Sequence, residues 1–589
     1  MTIDASAVAR VLGIETTYKD LREGAVLYLP QRIAVLAQGA TDAAYGSTKF
    51  AARTAGEVGS KVGYGSPAHL AMLQLQPING DGVGTVPVTI YPLQQAAGAT
   101  EATGDITAIG TQTRAASYRV KVGGIRSSSF TIPVGASVSD ILGSVMVAIQ
   151  SVLEMPVTVL PTYGAAASTP GTNTGNGTVT ALSVAGTPRP GSYKLAVTGA
   201  ISDGGKFVLS DPDGIAVSSV TLTPAPGGTT EVDAAGLQFT VTDGTTDFAV
   251  GDNFTIEVPA TKLELTSKWK GSSANAIRLS VEGESYGVSF AFTQPSGGAG
   301  NPSVASALGQ IVDVWETLVL NGLDVTDTEA LDELATFGEQ RWGELVRKPF
   351  VSFVGTTAAA VAEATAVSAG RRTDRVNAQI VSPGAEDLPV VVAARALARI
   401  ARIANNNPPR DYGSQRLTGL TPGPDGAQWD YRTRDMAVKN GSSTIEIKDG
   451  IVCLSDVVTF YRPTGEEPPG FRYVCDIVKL QNIIFNLSLI FENEDWDGAP
   501  LVPNDQPVVN YAARKPKDAV AAANALIDSL GLYAFLSDPA SAKKKTTASI
   551  NAMNPKRLDL RLIVQLSGNT VQKGIELGFG FYFGASATA

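Results

Sequence analysis

Apolar and polar positions follow two different periods along this chain, and the changes of period predict its elements. Short, fully apolar runs such as Ile33–Leu36 and Val86–Leu93 indicate buried strands. Between them, Ser66 followed by Pro67 predicts the capped start of a helix. Farther along, runs such as Phe350–Val354 alternate with helical segments such as LPVVVAARALARIARIA. Alternating strands and helices predict a mostly parallel sheet that helices cover on both faces.

The segment SVASALGQIVDVWETLVLNG has apolar residues at helical spacing. It therefore predicts a long helix with one apolar face, formed by Val304, Leu308, Ile311, Trp315 and Leu318.

The middle of the chain changes character twice. Residues 101–165 combine alternating runs with one amphipathic helical segment, which indicates a small α+β domain. A linker rich in Gly, Thr, Ser and Asn follows, and then residues 166–260 contain only short alternating runs separated by turn sequences such as DPDG and TDG. This pattern predicts an inserted β-sandwich that faces outward.

We interpret the rest of the chain around the segment from Asp430 to Phe583. It contains the long apolar stretch FRYVCDIVKLQNIIFNLSLIF and two alternating runs, RLDLRLIVQL and IELGFGFYF, separated by SGNTVQKG. The two runs predict a terminal hairpin, and the open edge of such a hairpin pairs with another chain where one is offered. We predict strand donation between subunits by five alternating apolar residues: Ile575, Leu577, Phe579, Phe581 and Phe583.

The motifs TRDMAVKNGSSTIEIKDGIVCLSDVVTFYRP and FRYVCDIVKLQNIIFNL and the two terminal runs carry a family resemblance. Their order resembles the C-terminal domain of bacteriophage contractile tail sheath proteins, most closely the Mu-like branch. The resemblance covers residues 23–100 and 262–589, and the β-sandwich module is an addition to it.

The resemblance implies a fold and a set of partners. It implies an α/β layer of subtilisin-like topology and an α+β C-terminal domain. It also implies hexameric rings stacked in a helical lattice around a tail tube protein, with a baseplate and a tail terminator as further partners. Such a sheath contracts to drive the tube through the host envelope during genome delivery. The expected location is the virion tail, after assembly in the host cytoplasm.

These patterns together predict a multidomain α/β chain with additional β-rich domains. The predicted divisions are an N-terminal arm (1–22), the first part of the α/β domain (23–100), the small α+β domain (101–165), the sandwich (166–260), the second part of the α/β domain (261–425), the C-terminal domain (426–567) and a C-terminal strand or arm (568–589).

Composition argues against several classes of function. The net charge of −10 and the pI near 5 argue against direct binding of nucleic acid, which requires a basic face. No apolar run of about 18 residues is evident and the first 20 residues lack the pattern of a signal peptide, so neither membrane insertion nor secretion by a leader is expected. Two cysteines, Cys453 and Cys475, exclude a disulfide scaffold.

Candidate chemistry is sparse, so we expect no enzyme, no cofactor and no metal site. The chain has a single histidine, His69, which we interpret as a packing residue at a helix start, and we expect no strained Gly-x-Ser-x-Gly turn of the hydrolase type. The acidic sequences DPDG (Asp211, Asp213) and FENEDWDG do not have EF-hand spacing, and TGAISDGGKF departs from a phosphate-binding loop.

Three alternatives remain open at this point. The first is the sheath of a phage-derived injection device of the tailocin type, which the sequence does not separate from a phage sheath. The second is an active subtilisin-like hydrolase, which the single histidine disfavours. The third is a β-rich adhesin, which only residues 166–260 favour.

Overall fold

The protein is described by a computed structural model that covers residues 26–464 except 79, and 470–579 except 572, 574 and 575. The chain forms two compact units. The larger one, here called the main unit, contains residues 30–405 and 412–474. The smaller one, here called the C-terminal unit, contains residues 26–29, 406–411 and those from Cys475 onward. The fold is a mixed α/β architecture with several separate sheets.

An eight-stranded sheet forms the centre of the main unit. Its six inner strands are parallel and the strand at each edge is antiparallel to its neighbour. In spatial order the strands are Phe50–Ala52, Val88–Leu93, Ile33–Gln38, Leu318–Asn321, Val351–Thr356, Asn377–Val381, Ser442–Lys448 and Ile451–Asp456. The inner strands are buried along almost their whole length, as parallel strands covered on both faces must be.

Helices connect these strands. They are Ala55–Val62, Pro67–Leu75, Ala305–Leu308, Thr328–Trp342, Val361–Ala364, Ala366–Gly370, Pro389–Asn406 and Tyr431–Lys439. The helix at Pro67 begins as its sequence predicts, because the Ser66 hydroxyl accepts a hydrogen bond from the backbone N–H of His69.

The predicted long helix around Trp315 is wrong. Only Ala305–Leu308 is helical, and Leu318–Asn321 is a fully buried strand in the middle of the parallel sheet. Short apolar runs satisfy helical spacing and a buried strand equally well, so the neighbours in the sheet decide between them.

The small α+β domain has two sheets and one helix, Val138–Gln150, which begins with a capping box between Ser137 and Asp140. The four-stranded sheet has the order Val288–Ser296, Glu101–Gly110, Ala260–Lys270 and Val157–Tyr163. The second sheet has the order Leu279–Glu282, Ala116–Val122 and Ile125–Arg126, and Phe130–Ile132 also pairs with Ala116–Val122.

The predicted boundary at residue 261 is therefore wrong. Strands Ala260–Lys270 and Val288–Ser296 pair with Glu101–Gly110 in the small domain instead of joining the main sheet. The sequence shows only that this stretch is β-rich, and its partner strand Glu101–Gly110 lies more than 150 residues earlier in the chain.

The sandwich module, residues 167–258, lies between two strands of the small domain. Its five-stranded sheet has the order Ala216–Leu222, Gly204–Ser210, Gly191–Ile201, Asn253–Val258 and Ala167–Pro170, and its three-stranded sheet has the order Thr178–Val184, Leu237–Thr242 and Thr229–Ala234. The two sheets enclose an apolar core of their own that includes Phe207, Phe239, Phe248 and Phe254.

In its described residues the C-terminal unit has helices at Val474–Phe491, Pro516–Leu532 and Pro539–Lys545. Its ladders pair Leu536–Ser537 with Gln565–Leu566, and Thr547–Ile550 with Leu558–Arg561. Its core joins Ile483 of the first helix to Leu526, Ile527 and Leu530 of the second.

Two predictions about this end of the chain are wrong. The predicted domain start at residue 426 fails because Ser442–Lys448 and Ile451–Asp456 complete the main sheet. The predicted terminal hairpin is wrong for the described residues, because Leu558–Arg561 pairs with Thr547–Ile550 and residues 576–579 lie outside any strand. Ile575 and residues 580–583 of its second run lie outside the described residues. Strand alternation identifies a strand but does not identify the strand that pairs with it.

Candidate assembly site

The helix Val474–Phe491, here called the central helix, carries polar side chains on an otherwise apolar sequence. Lys479 and Asn482 are fully buried and Asn486 is 3% exposed. Their spacing of three and four residues places them along one face of the helix. Burial of an unpaired polar group is costly, so each of these side chains requires a partner inside the unit.

Asn482 and Asn486 bind the first described residues of the chain. The side-chain amide of Asn486 accepts from the N–H of Leu27 at 3.0 Å and donates to the carbonyl of the same residue at 2.8 Å. Asn482 accepts from the N–H of Leu29 at 2.8 Å. The two asparagines thus take the place of a neighbouring strand and hold this segment through its main chain.

Side chains of the same segment complete the docking. Val26 is buried in the core of the C-terminal unit, and Tyr28 packs against it. The Tyr28 ring contacts the rings of Tyr533 and Phe535, each with a centroid separation of 6.1 Å. Main-chain hydrogen bonds and side-chain burial together fix residues 26–29 in a single register.

Lys479 holds the other end of the chain. Its ammonium group donates to the carbonyl of Ser567 at 2.6 Å and to Oδ1 of Asn569 at 2.7 Å, and pairs with Asp476 at 2.9 Å. The side chain of Asn569 in turn donates to the carbonyl of Pro409 at 2.8 Å. These contacts, here called the tail root, anchor the chain at residues 567–569.

Beyond the tail root the apolar side chains face solvent. Leu577 is 80% exposed and Phe579 is 86% exposed. The other three residues predicted to donate a strand, Ile575, Phe581 and Phe583, lie outside the described residues, so strand donation stays a prediction. Residues two apart point to the same side of an extended chain, so Leu577 and Phe579 would present one apolar edge if this segment joined a sheet.

The central helix is long and apolar enough to cross a membrane by length and composition, which the sequence pattern did not suggest. Half of its 18-residue window is buried inside the protein. Lys479, Asn482 and Asn486 bind other parts of the same unit. We therefore interpret it as a core helix.

His69 is a packing residue. It is 2% exposed, its Nδ1 accepts from the N–H of Gly65 at 3.1 Å, and its ring packs edge-on against Tyr64. Burial lowers the pKa of His69 to about 4, so the imidazole is neutral at physiological pH. The one histidine is thus fixed by its surroundings and poorly suited to shuttle protons.

One Gly-x-Ser-x-Gly sequence does occur, at Gly283–Gly287, contrary to the expectation from the sequence. It lies in the loop between strands Leu279–Glu282 and Val288–Ser296, and Ser285 donates to the carbonyl of Val288. A hydrolase elbow places its serine between a strand and a helix. This loop joins two strands, so the motif lacks the setting that would activate the serine.

The remaining candidates have structural explanations. Asp211 accepts from the N–H groups of Asp213 and Ile215, which makes DPDG a β-turn. In FENEDWDG, Asp495 pairs with Arg514 at 3.1 Å.

The glycine and lysine of TGAISDGGKF lie on strand Gly204–Ser210, so this sequence forms no phosphate-binding loop. Cys453 and Cys475 are free, buried thiols, one on a strand and one on a helix.

Sequence reasoning missed Lys479, Asn482 and Asn486. A signal was present, because polar residues at positions i, i+3 and i+7 interrupt an apolar helix of 18 residues. Their partners are separated from the helix by as many as 459 residues, so no local pattern identifies them.

No family model and no curated protein matches this chain. Among solved structures it is similar to the sheath tail protein of Listeria innocua, with 12% identity, coverage of 92% of this chain and 94% of that chain, and a TM-score of 0.40. It is also similar to the sheath tail protein of Desulfitobacterium hafniense, with 9% identity, coverage of 94% and 100%, and a TM-score of 0.40.

A third similar structure is the contracted sheath complex of an extracellular contractile injection system, with 11% identity, coverage of 40% of this chain and 64% of that chain, and a TM-score of 0.30. All three are sheath components, the family that the sequence resembles. Each TM-score is below 0.5, so the function proposed below rests on features of the chain itself.

Proposed function

We propose that this chain is the structural sheath subunit of a contractile tail, and that its terminal segments join it to copies of itself. The observation that carries the proposal is the contrast along the C-terminal tail. The tail root is anchored by a buried lysine, whereas Leu577 and Phe579, only eight to ten residues beyond Asn569, are almost fully exposed.

The exposed apolar side chains of Leu577 and Phe579 favour binding of the tail to a partner chain. Full burial of a Leu or Phe side chain contributes roughly 1.5–3 kcal/mol. A sheet edge on a neighbouring subunit would bury both side chains and also pair the main chain of the tail. A fixed tail root with a free strand beyond it would let neighbouring subunits stay joined while their rigid bodies rotate during contraction.

The family resemblance supplies the rest of the proposal. The subunits would form hexameric rings around a tail tube protein, end at a baseplate and a tail terminator, and drive the tube through the host envelope. The parallel sheet of the main unit would correspond to the α/β layer of subtilisin-like topology. The sandwich module, with its own core, would face outward as an addition. In this role the chain is not an enzyme.

Electron microscopy of the purified full-length chain tests the proposal. We expect striated hollow tubes or stacked rings. A second preparation lacking residues 570–589 keeps the tail root, so it should remain soluble and folded but fail to polymerise. Normal tubes from this truncation would contradict strand donation by the C-terminal tail.

A serine-reactive fluorophosphonate probe tests the hydrolase alternative. We expect no labelling of the full-length chain at Ser285, because its hydroxyl is bound to a backbone carbonyl within a loop between strands. Stoichiometric labelling that a Ser285→Ala variant abolishes would favour the hydrolase instead.

A further inference from the structure

The sandwich module contains two aspartates that are equally buried but very differently bonded. Asp252 and Asp243 are each 4% exposed. The carboxylate of Asp252 accepts from the backbone N–H groups of Thr174, Gly175 and Ala249, at 2.8–2.9 Å. Burial alone would raise the pKa of Asp252, but these three hydrogen bonds outweigh it and the pKa is lowered. Its charge is fully compensated by the loop around it.

Asp243 has no such compensation. Among the described residues neither of its carboxylate oxygens has a hydrogen-bond partner, although the nearby backbone N–H of Gly244 favours the charged form. Burial raises the pKa of Asp243, and the charges of Asp247 and Asp203 raise it further. Burying a carboxylate without a hydrogen-bond donor costs free energy. A positively charged group bound beside Asp243 would therefore stabilise the fold.

The three carboxylates lie close together. One oxygen from each of Asp203, Asp243 and Asp247 can be chosen such that all three lie within 4.8 Å of one another. Two oxygens that bind the same Ca²⁺ at about 2.3–2.6 Å are at most about 5 Å apart. Among the described residues no lysine or arginine forms an ion pair with any of the three. The cluster is therefore a set of hard oxygen ligands without a counter-charge.

The loops that carry the carboxylates are held in place. The side chain of Asn176 accepts from the N–H of Thr246 and donates to the hydroxyl of Thr245, both at 2.9 Å. A side chain at Gly244 would collide with Asn176, because a Cβ there would lie 1.9 Å from its amide oxygen. The N–H of Asp203 donates to Asp247 at 3.0 Å. The ligand atoms are thus positioned before any ion arrives.

We propose that Asp203, Asp243 and Asp247 form a calcium-binding site in the sandwich module. Asp203 lies in the turn between Gly191–Ile201 and Gly204–Ser210 of the five-stranded sheet, and Asp243 directly follows Leu237–Thr242 of the three-stranded sheet. A bound ion clips the two sheets together at one end of the sandwich. Water completes the coordination shell. The all-oxygen ligand set favours Ca²⁺ or Mg²⁺ over zinc or copper, and the deformable shell of Ca²⁺ fits three carboxylates better than the strict octahedron of Mg²⁺.

Calorimetric titration of the full-length chain tests this site. The protein is first treated with EDTA, dialysed into a phosphate-free buffer and then titrated with CaCl₂. We expect one site per chain with a Kd of about 10⁻⁵ to 10⁻³ M. The Tm of the full-length chain should also rise when Ca²⁺ is added, because the ion binds only the folded sandwich.

Three variants locate the binding. Asp243→Asn should weaken calcium binding at least about tenfold, because it removes the buried charge from the ligand set. Asp247→Asn changes an exposed ligand and serves as a second test if the first variant folds poorly. Asp233→Asn is the matched control, since it removes an exposed carboxylate from a hairpin of the same module and should leave the Kd unchanged.

Several results would overturn the proposal. One is the absence of binding heat with wild-type protein up to about 5 mM calcium, well above the weakest expected Kd. Another is unchanged affinity in both the Asp243→Asn and Asp247→Asn variants, which would place the binding elsewhere. Equal affinity for Mg²⁺ would overturn the assignment to calcium.

Discussion

Two segments of the C-terminal unit, residues 26–29 and the C-terminal tail, bind the same helix but differ in how much of each is held. Residues 26–29 are bound through their main chain by Asn482 and Asn486, and Val26 is buried. The C-terminal tail is bound only at its root by Lys479, and then exposes Leu577 and Phe579. The difference indicates that a segment held through its main chain at Leu27 and Leu29 is part of its own subunit, whereas one with an anchored root and exposed apolar side chains is suited to reach another.

The largest expected effect comes from removing the anchor of the tail root. Lys479→Met keeps the helix and much of the side-chain volume but leaves Asp476, the carbonyl of Ser567 and Asn569 without their donor. We expect a loss of about 3 kcal/mol in the free energy of unfolding of the C-terminal unit, because three acceptors lose one buried charged donor. Urea denaturation followed by circular dichroism measures this change.

The reactivity of the Cys475 thiol provides a second measurement of the tail root. Burial raises its pKa well above the usual value, and its Sγ lies 3.6 Å from Oδ1 of Asn569. A thiol reagent at pH 8 should react slowly with Cys475 in the wild type. Loss of the Lys479 charge raises the pKa of Cys475 further, so a faster reaction in Lys479→Met would report exposure of the thiol as the tail root opens. Lys439→Met is the control. Lys439 forms an exposed i,i+4 ion pair with Asp435, so this substitution should cost less than about 0.5 kcal/mol. Equal stability of the two variants would contradict the tail root.

The next largest effect on stability is expected from releasing residues 26–29. Asn482→Leu leaves the N–H of Leu29 without its acceptor, so we expect a loss of about 1–3 kcal/mol. Hydrogen exchange checks this directly, since the amide of Leu29 should lose its protection. Asn510→Ala, which removes an exposed amide from the same unit, should leave the protection of Leu29 unchanged. If Leu29 stays protected in Asn482→Leu, main-chain capture does not hold this segment.

The smallest effect on subunit stability is expected at the tail itself. Leu577→Ser combined with Phe579→Ser changes two side chains that are mostly in solvent, so the free energy of unfolding should stay within about 0.5 kcal/mol of the wild type. Thermal unfolding of the dissociated subunit measures this. A destabilisation of several kcal/mol would show that these side chains are buried within their own subunit, and the contrast between the two ends would then disappear.

Local patterns predicted elements well where neighbouring residues decide them. The capped helix at Ser66 and Pro67 and the buried strand that begins at Ile33 follow from spacing and side-chain chemistry. The strand Leu318–Asn321 also fits the helical spacing predicted around Trp315, because a run of four residues, three of them apolar, carries no period of its own. Its identity comes from Ile33–Gln38 and Val351–Thr356, the two strands that flank it.

The candidate sites are even harder to predict from local sequence, because residues far apart in the chain form them. The strand-like run at Leu558 was visible, but its pairing with Thr547–Ile550 was not. The capture of residues 27–29 joins positions more than 450 apart. Asp203 and Asp243 are 40 positions apart, far beyond the 12-residue span of an EF-hand loop. What makes them a candidate is that Asp243 is buried without a donor, a property that only the folded chain reveals.

The most direct test of the proposed function is the assembly of the variant Leu577→Ser/Phe579→Ser. Its matched control is Leu532→Ser, which removes an equally exposed leucine, 84% against 80%, from the end of helix Pro516–Leu532 in the same unit. Electron microscopy and sedimentation would compare the polymerised fractions of wild type, control and variant. If the tail joins neighbouring subunits, the control polymerises as the wild type does and the double variant remains as dissociated, folded subunits. Polymers of normal length and number from the double variant would contradict it.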